Sequence, residues 1–346
     1  VIIVSIYLST VLGPYTLPIG AVLAMLIQLI FYISFVRRTN FKYIKYIDLK
    51  DDNLKKLLYL LGPVLIGVAV NQINALLDTT LASTLVSGSI PALTYANRLN
   101  GFVLGIFIAS VVSVVYPMLS KLSAEENSDK FIAAVTSSVN IIIVLIVPIS
   151  VGSIVLAHPI VRILFERGAF NAHATDMTAI ALVFYSVGML GFGLRDILGK
   201  IFYSLKDTKT PMRNGIVSVV INIILNLILI RYMGHAGLAF ATSISSLVCI
   251  VIMFISLKKR MGYFGQDKII RATIKSIIAA VIMGVFVYFT YNGLMDMFGT
   301  LVIEESNIVL VSILVGAIVY GLLITLFKVN EVNMIINLAK KKLKIK

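Results

Sequence analysis

The sequence predicts an all-α, polytopic membrane bundle, and three observations carry that prediction. Of the 346 residues 59% are hydrophobic and only 13% charged. Mean hydropathy is +1.00, and apolar runs of about 20 residues recur along the whole length. So little polar surface cannot cover a water-soluble particle of this size. A chain that crosses lipid must also satisfy its backbone hydrogen bonds internally, which runs of this length do as helices.

Residues 1–12 (VIIVSIYLSTVL) are apolar but too short to cross roughly 30 Å of hydrocarbon as a helix, and Gly13-Pro14 separates them from the next apolar run. They read as the end of a helix whose start lies upstream. Neither a basic region nor an initiator Met precedes them, which argues against a signal peptide. Complete spans are expected at 16–36, 57–83, 90–118, 131–156, 175–198, 213–232, 236–257, 271–292 and 306–327. Between the first two, the basic segment 37–56 interleaves Phe41, Tyr43, Ile44, Tyr46 and Ile47 with Lys42 and Lys45. That pattern suits either a helix lying on the inner membrane surface or a charged linker.

The cations set the orientation. Segments 37–56, 119–131, 195–213, 258–275 and 328–346 hold every Lys and Arg of the 30 except Arg98, Arg162, Arg167 and Arg231. By the positive-inside rule these segments are expected in the cytoplasm, together with a C-terminus bearing Lys340, Lys341, Lys342, Lys344 and Lys346. The net charge of +14 is therefore a topology signal and not a nucleic-acid footprint.

Soluble-enzyme chemistry has no foothold. The one cysteine, Cys249, sits inside an apolar span and reads as packing. His158, His173 and His235 are far apart and without zinc spacing, and no Walker sequence is present. Two short turns read as helix stops and caps: Glu166-Arg167-Gly168, and Asp207 to Pro211, with Asp207 or Thr210 preceding a helix and Pro211 at its first position.

The polar residues inside spans are more informative. A charge at the centre of a membrane helix costs roughly 2.5–3.5 kcal/mol, so such groups face a bundle interior or a wet cavity. Asn71, Asn74 and Asp78 recur at i, i+3 and i+7 on one helical face. In the next span Tyr95, Asn97, Arg98 and Asn100 cluster at similar depth. Asp78 and Arg98 can be read as a neutralising ion pair. Alternatively Arg98 lines a cavity, its planar fork suited to phosphate, with Gly101 and Gly105 providing either close helix contact or open space. A second polar face carries Asn222 and Asn226, with Thr242 and Ser243 on the following helix. These residues suit either a small-cation site or interhelical hydrogen bonding.

Four stretches together resemble the lipid II flippases of the MurJ/MviN family, within the multidrug/oligosaccharidyl-lipid/polysaccharide exporter (MOP) superfamily. They are LTYANRLNGFVLGIF (93–107), PIVRILFERGAF (159–170), KIFYSLKDTKTPMRN (200–214) and GHAGLAFATS (234–243). The resemblance implies a fourteen-helix fold of two six-helix lobes, plus two C-terminal helices that form a groove for a lipid tail. Mapped here, 1–36 is a remnant of the first lobe, 37–56 a cytoplasmic linker and 57–257 the second lobe. Residues 258–346 then hold the added helix pair and a basic tail. The first lobe is mostly missing, and the sequence is expected to be part of a longer product.

By the same resemblance Arg98 grips the lipid II pyrophosphate, with Asn97, Asn74 and Tyr95 beside it. Asp78, Asn222, Asn226, Thr242 and the Leu238 carbonyl resemble a sodium site, with Asn226 replacing an Asp, and sodium is the one candidate cofactor. The implied function is flipping of undecaprenyl-linked peptidoglycan precursor across the bacterial cytoplasmic membrane by alternating access. The partners are lipid II and membrane lipids, not nucleic acid, and no reaction is catalysed. Alternatives are flipping of another undecaprenyl-linked saccharide, drug/cation antiport, or a non-transporting membrane scaffold.

Overall fold

The computed structural model describes residues 13–39, 51–125, 128–302 and 304–328. The chain forms two compact units, 1–57 and 58–346. In the first unit a 3₁₀ turn (Gly13–Tyr15) opens helix α1 (Thr16–Arg38). Residues 41–47, where the sequence suggests an interfacial helix, and the tail 329–346 lie outside the described residues.

Among the described residues ten further helices follow: α2 (Asp52–Ala82), α3 (Ser89–Ala124), α4 (Ser128–Val155), α5 (Ala157–Phe165), α6 (Ala172–Val187), α7 (Met189–Ser204), α8 (Lys209–Met233), α9 (His235–Met261), α10 (Gln266–Val302) and α11 (Glu305–Leu326). Among the described residues eight helices are long and apolar enough to cross a membrane, nine if the bent pair α6–α7 counts as one span. α4 lies at the centre of the second unit. Its Val135, Val139, Ile142 and Ile146 are fully buried at helical spacing, with α3, α7 and α10 packed around it.

The sequence predicts one span at 175–198. The structure instead breaks it at Gly188 with a 45° bend. The cause is close packing: a Cβ at Gly188 would lie 2.5 Å from the Ser243 Cα, and one at Gly191 2.4 Å from the Ser246 Oγ. At the break the Gly188 N–H bonds the Tyr185 carbonyl, which leaves the Phe184 carbonyl free. In lipid such a group needs a protein partner. The Ser243 hydroxyl donates to it at 2.6 Å, Ser246 donates to the Gly188 carbonyl at 3.2 Å, and Ser150 donates to that of Ser186.

The same compensation fixes the last helix pair. Pro148 lies inside α4 and has no N–H to offer Val144 one turn back. The Tyr320 hydroxyl of α11 donates to that carbonyl at 2.9 Å and contacts the Ser276 hydroxyl of α10 at 2.7 Å. At the far end of the pair Arg162 on α5 forks onto Glu305 of α11, which also accepts from Tyr291 of α10 at 2.7 Å.

The first short turn agrees with the sequence reading; in the second Asp207 does precede the helix, but α8 starts at Lys209, so Thr210 lies inside it and Pro211 is its third residue and not its first. α5 stops at Glu166, and Gly168 has φ +59. Asp207 accepts from the Thr210 N–H at 3.0 Å and its hydroxyl at 2.7 Å, capping α8. Cys249 is fully buried, its sulfur 3.8 Å from the Asn214 carbonyl.

Tyr320→Phe strips the Val144 carbonyl and Ser276 of a buried partner. Unfolding in detergent should show a loss of about 1–3 kcal/mol. The exposed Tyr288→Phe should stay within about 0.5 kcal/mol of the wild type.

Candidate functional site

α8 places Asn222 and Asn226 one turn apart, both buried. α9 begins directly after Gly234, whose φ of +55 and ψ of −131 make the reversal in a single residue that a side chain would strain. That sharp start sets Leu238 and Thr242 beside Asn222. The result is one hydrogen-bonded chain across three helices. The Asn226 amide donates to Asp78 of α2 at 2.6 Å and to Asn222 Oδ1 at 3.0 Å. Asn222 in turn donates to the Thr242 hydroxyl at 3.3 Å, and Thr242 donates to the Leu238 carbonyl at 2.9 Å.

One atom in this hydrogen-bond network lacks a partner: Asn226 Oδ1 is buried and, among the described residues, meets no donor. A buried acceptor in that state is costly unless something positive faces it. The oxygens of Asp78, Asn222, Asn226, Thr242 and Leu238 form an all-oxygen set, the donor chemistry of a hard cation.

The second set of sequence-predicted residues makes no hydrogen bond to this network among the described residues. Arg98 and Asn97 are exposed on α3, and among the described residues the Arg98 guanidinium has no hydrogen-bond or ion-pair partner. Gly101 and Gly105 have nothing within 4 Å of where a Cβ would stand, so they leave open space beside the cation. Asn97 also lines a small cavity of about 120 Å³ with Asp78, Thr79, Thr94 and Tyr185. Asn74 Oδ1 is buried without a partner. Tyr95 packs its ring on Phe165 at 4.8 Å and Phe170 at 5.5 Å, fastening α3 to the α5–α6 turn. Asp78 therefore has Asn226 as its partner, and no ion pair with Arg98 is present among the described residues. Equal depth on two helices says nothing about the direction each side chain faces.

Two cations counted by the sequence as part of a basic loop prove to be on α7. Arg195 donates to Asn71 at 3.2 Å, and Lys200 sits 5.8 Å from the Tyr116 ring and 5.6 Å from that of Tyr203. With Asp196 they line a cavity of about 340 Å³. The signal was the amphipathic run LGFGLRDILGKIFYS, which carries the helix past Lys200 to Ser204.

Beside Arg98 the surface turns apolar. Its neighbours Leu99 and Phe102 line a cavity of about 340 Å³ that ends on Ile160 and Ile313. Those two residues also line a larger cavity of about 530 Å³ between α4 and the α10–α11 pair, walled by Pro148, Met283 and Val287. A polar face thus adjoins two apolar cavities that share Ile160 and Ile313.

An all-helical membrane bundle with these two surfaces has the fold of a MOP-superfamily transporter. A multidrug resistance MATE family transporter of that superfamily, in an outward-facing conformation, aligns with a TM-score of 0.54 at 17% identity over 80% of this chain and 62% of its own, a likeness of fold alone. By sequence the chain belongs to the MurJ family: the model described as "Lipid II flippase MurJ" matches residues 1–331. The probable lipid II flippase MurJ of Vibrio cholerae serotype O1 is 34% identical over 267 residues, covering 77% of this chain and 51% of that protein. The solved structure of lipid II flippase MurJ in an inward closed conformation aligns with a TM-score of 0.70 at 29% identity, over 94% of this chain and 64% of its own. The chain spans about half the length of the curated relatives it matches.

The hydrogen-bond pattern makes a prediction for coupled stability. In a double-mutant cycle, Asp78→Asn and Asn226→Leu should couple by about 0.5–3 kcal/mol, whereas Asp78→Asn and Arg98→Ala should add within about 0.5 kcal/mol. Strong coupling in the second cycle would restore the ion-pair reading.

Proposed function

We propose that this chain acts in flipping lipid II, the undecaprenyl-pyrophosphate-linked peptidoglycan precursor, from the inner to the outer leaflet by alternating access. The observation that carries the reading is a guanidinium with no partner among the described residues, on an open polar face next to an apolar cavity, in a chain of the MurJ family. A fork of N–H donors on Arg98 suits the pyrophosphate, and the charge persists at any physiological pH. Asn97 and Asn74 offer amide contacts to the headgroup, and Tyr95 holds α3 in place through its ring contacts. The groove along α4, α10 and α11 suits the undecaprenyl tail, which stays in an apolar environment while the headgroup crosses.

The proposed placement is a bacterial cytoplasmic membrane, and the cation distribution supports a C-terminus in the cytoplasm. Binding and release of the headgroup, not bond chemistry, is the proposed work, so the chain acts as a transporter and not as an enzyme.

Sodium is the proposed occupant of the Asp78, Asn222, Asn226, Thr242 and Leu238 network. The residues fit it: every donor is oxygen, Asn226 Oδ1 lacks any other partner, and the sole formal charge, on Asp78, matches one monovalent cation. When bound, sodium would supply a positive charge to Asp78 and the orphaned amide oxygen. The side chains themselves orient the site through the Asn226, Asn222 and Thr242 relay and tie α2 to α8 and α9.

The test of the flippase reading is rescue of a flippase-depleted cell by the gene that carries this sequence. Arg98→Ala should abolish rescue with membrane levels unchanged, and Arg98→Lys should rescue poorly. Full rescue by Arg98→Ala would remove Arg98 from the substrate path.

Sodium is tested by melting curves in sodium and in choline chloride at equal ionic strength. A ligand at 100 times its dissociation constant adds roughly 2.7 kcal/mol to the folded state. Asp78→Asn, Asn222→Leu and Thr242→Val should each shrink the sodium-specific shift, and Arg98→Ala should not. A wild type with no sodium-specific shift would eliminate the site.

A further inference from the structure

A cavity of about 430 Å³ opens between the basic ends of α8 and α9, sharing no lining residue with the Arg98 face, the Asp78 network or the apolar groove. Three cations line it: Arg213 near the start of α8, and Lys259 and Arg260 at the end of α9. One carboxylate, Asp207, faces them, and it is already engaged. Its oxygens take the Thr210 N–H and hydroxyl, and Arg260 stands 3.6 Å from Oδ2 while also donating to the Leu205 carbonyl at 3.4 Å. Arg213 and Lys259 are exposed and, among the described residues, form no ion pair. The cavity floor adds polar groups, with Asn214 donating to the Ser256 hydroxyl at 3.2 Å. Two uncompensated cations over hydrogen-bonding groups suit a phosphate.

A second observation identifies what carries that phosphate. Arg213, Val217, Val220 and Ile224 succeed one another at steps of four, three and four along α8, so they share one face. The three apolar members are 44%, 50% and 52% exposed. On α9, Val251, Ile255 and Lys259 repeat at steps of four, with Val251 and Ile255 56% and 51% exposed. Each unpaired cation thus stands at the head of an apolar stripe that runs into the span, on two helices packed side by side. Such an arrangement fits an amphiphile lying along the bundle with its phosphate at the basic end and its acyl chains on the stripes. A soluble phosphate would make no use of the stripes.

We propose that this cavity is a binding site for an anionic glycerophospholipid, Arg213 and Lys259 holding its phosphodiester and the α8–α9 stripes its acyl chains. The inference does not rest on the flippase reading, because a different substrate would leave these contacts unchanged.

The test uses the purified chain in detergent, titrated with phosphatidylglycerol or phosphatidylcholine, with bound lipid counted by native mass spectrometry. One phosphatidylglycerol should be retained at least about tenfold more tightly than phosphatidylcholine. The pair Arg213→Gln with Lys259→Gln should weaken it roughly thirtyfold, about fivefold for each cation. The charge-keeping pair Arg213→Lys with Lys259→Arg should stay within about threefold of wild type. Lys121→Gln with Lys268→Gln removes the same charge from basic segments outside the cavity and should also stay within about threefold. Equal losses in that control would mean diffuse attraction and overturn the site, as would wild-type binding by the Arg213/Lys259 glutamine pair. Displacement of the lipid by millimolar glycerol phosphate would reassign the cavity to a soluble phosphate compound. Should the glutamine pair misfold, Lys259→Gln alone carries the test, with about a fivefold loss expected.

Discussion

Inside a bilayer no water is available for a carbonyl that leaves its helix, and the architecture depends on how this chain meets that constraint. Gly188 breaks one span and Pro148 removes an N–H from another, and each break exposes backbone oxygen. Serines 150, 243 and 246 close the first break and Tyr320 the second. These hydroxyls come from other helices, so the repair of one helix becomes the attachment of the next. α9 docks on the α6–α7 break, and the α10–α11 pair docks on α4.

That docking also builds the polar site. Thr242 and Ser243 are consecutive on α9 and therefore project about 100° apart. Ser243 reaches the broken helix while Thr242 reaches Asn222, so the contact that repairs the backbone also sets the register of the Asp78 network. α2 is joined to it differently. Among the described residues its side-chain bonds to other helices are Asp78 to Asn226 and Asn71 to Arg195. An element held through a few polar contacts, while the core stays packed around α4, is one whose position small changes in charge can bias.

The polar and apolar surfaces are separated by sequence neighbours on one helix. Arg98 stands on the open face of α3 while Leu99 and Phe102 turn into the apolar cavity. Rotation of about 100° per residue suffices to place a cation and an apolar cavity side by side. Gly101 and Gly105 keep the approach to the cation clear, the second of the two uses their spacing allowed.

By itself the sequence determined the class of the molecule: a helical membrane bundle, its approximate spans, the caps at Glu166 and Asp207, and the residue types of the polar sites. These are legible because hydropathy, helical period and turn chemistry are local properties of a chain. Tertiary structure decided what the local signals left open. Asp78 pairs with Asn226 and not Arg98, Tyr95 packs in an aromatic cluster, the expected 175–198 span is two helices, and Arg195 and Lys200 belong to α7 instead of a loop. Each of these turns on which way a helix faces or how closely a neighbour approaches, and a one-dimensional pattern fixes depth along the membrane normal but not rotation about it.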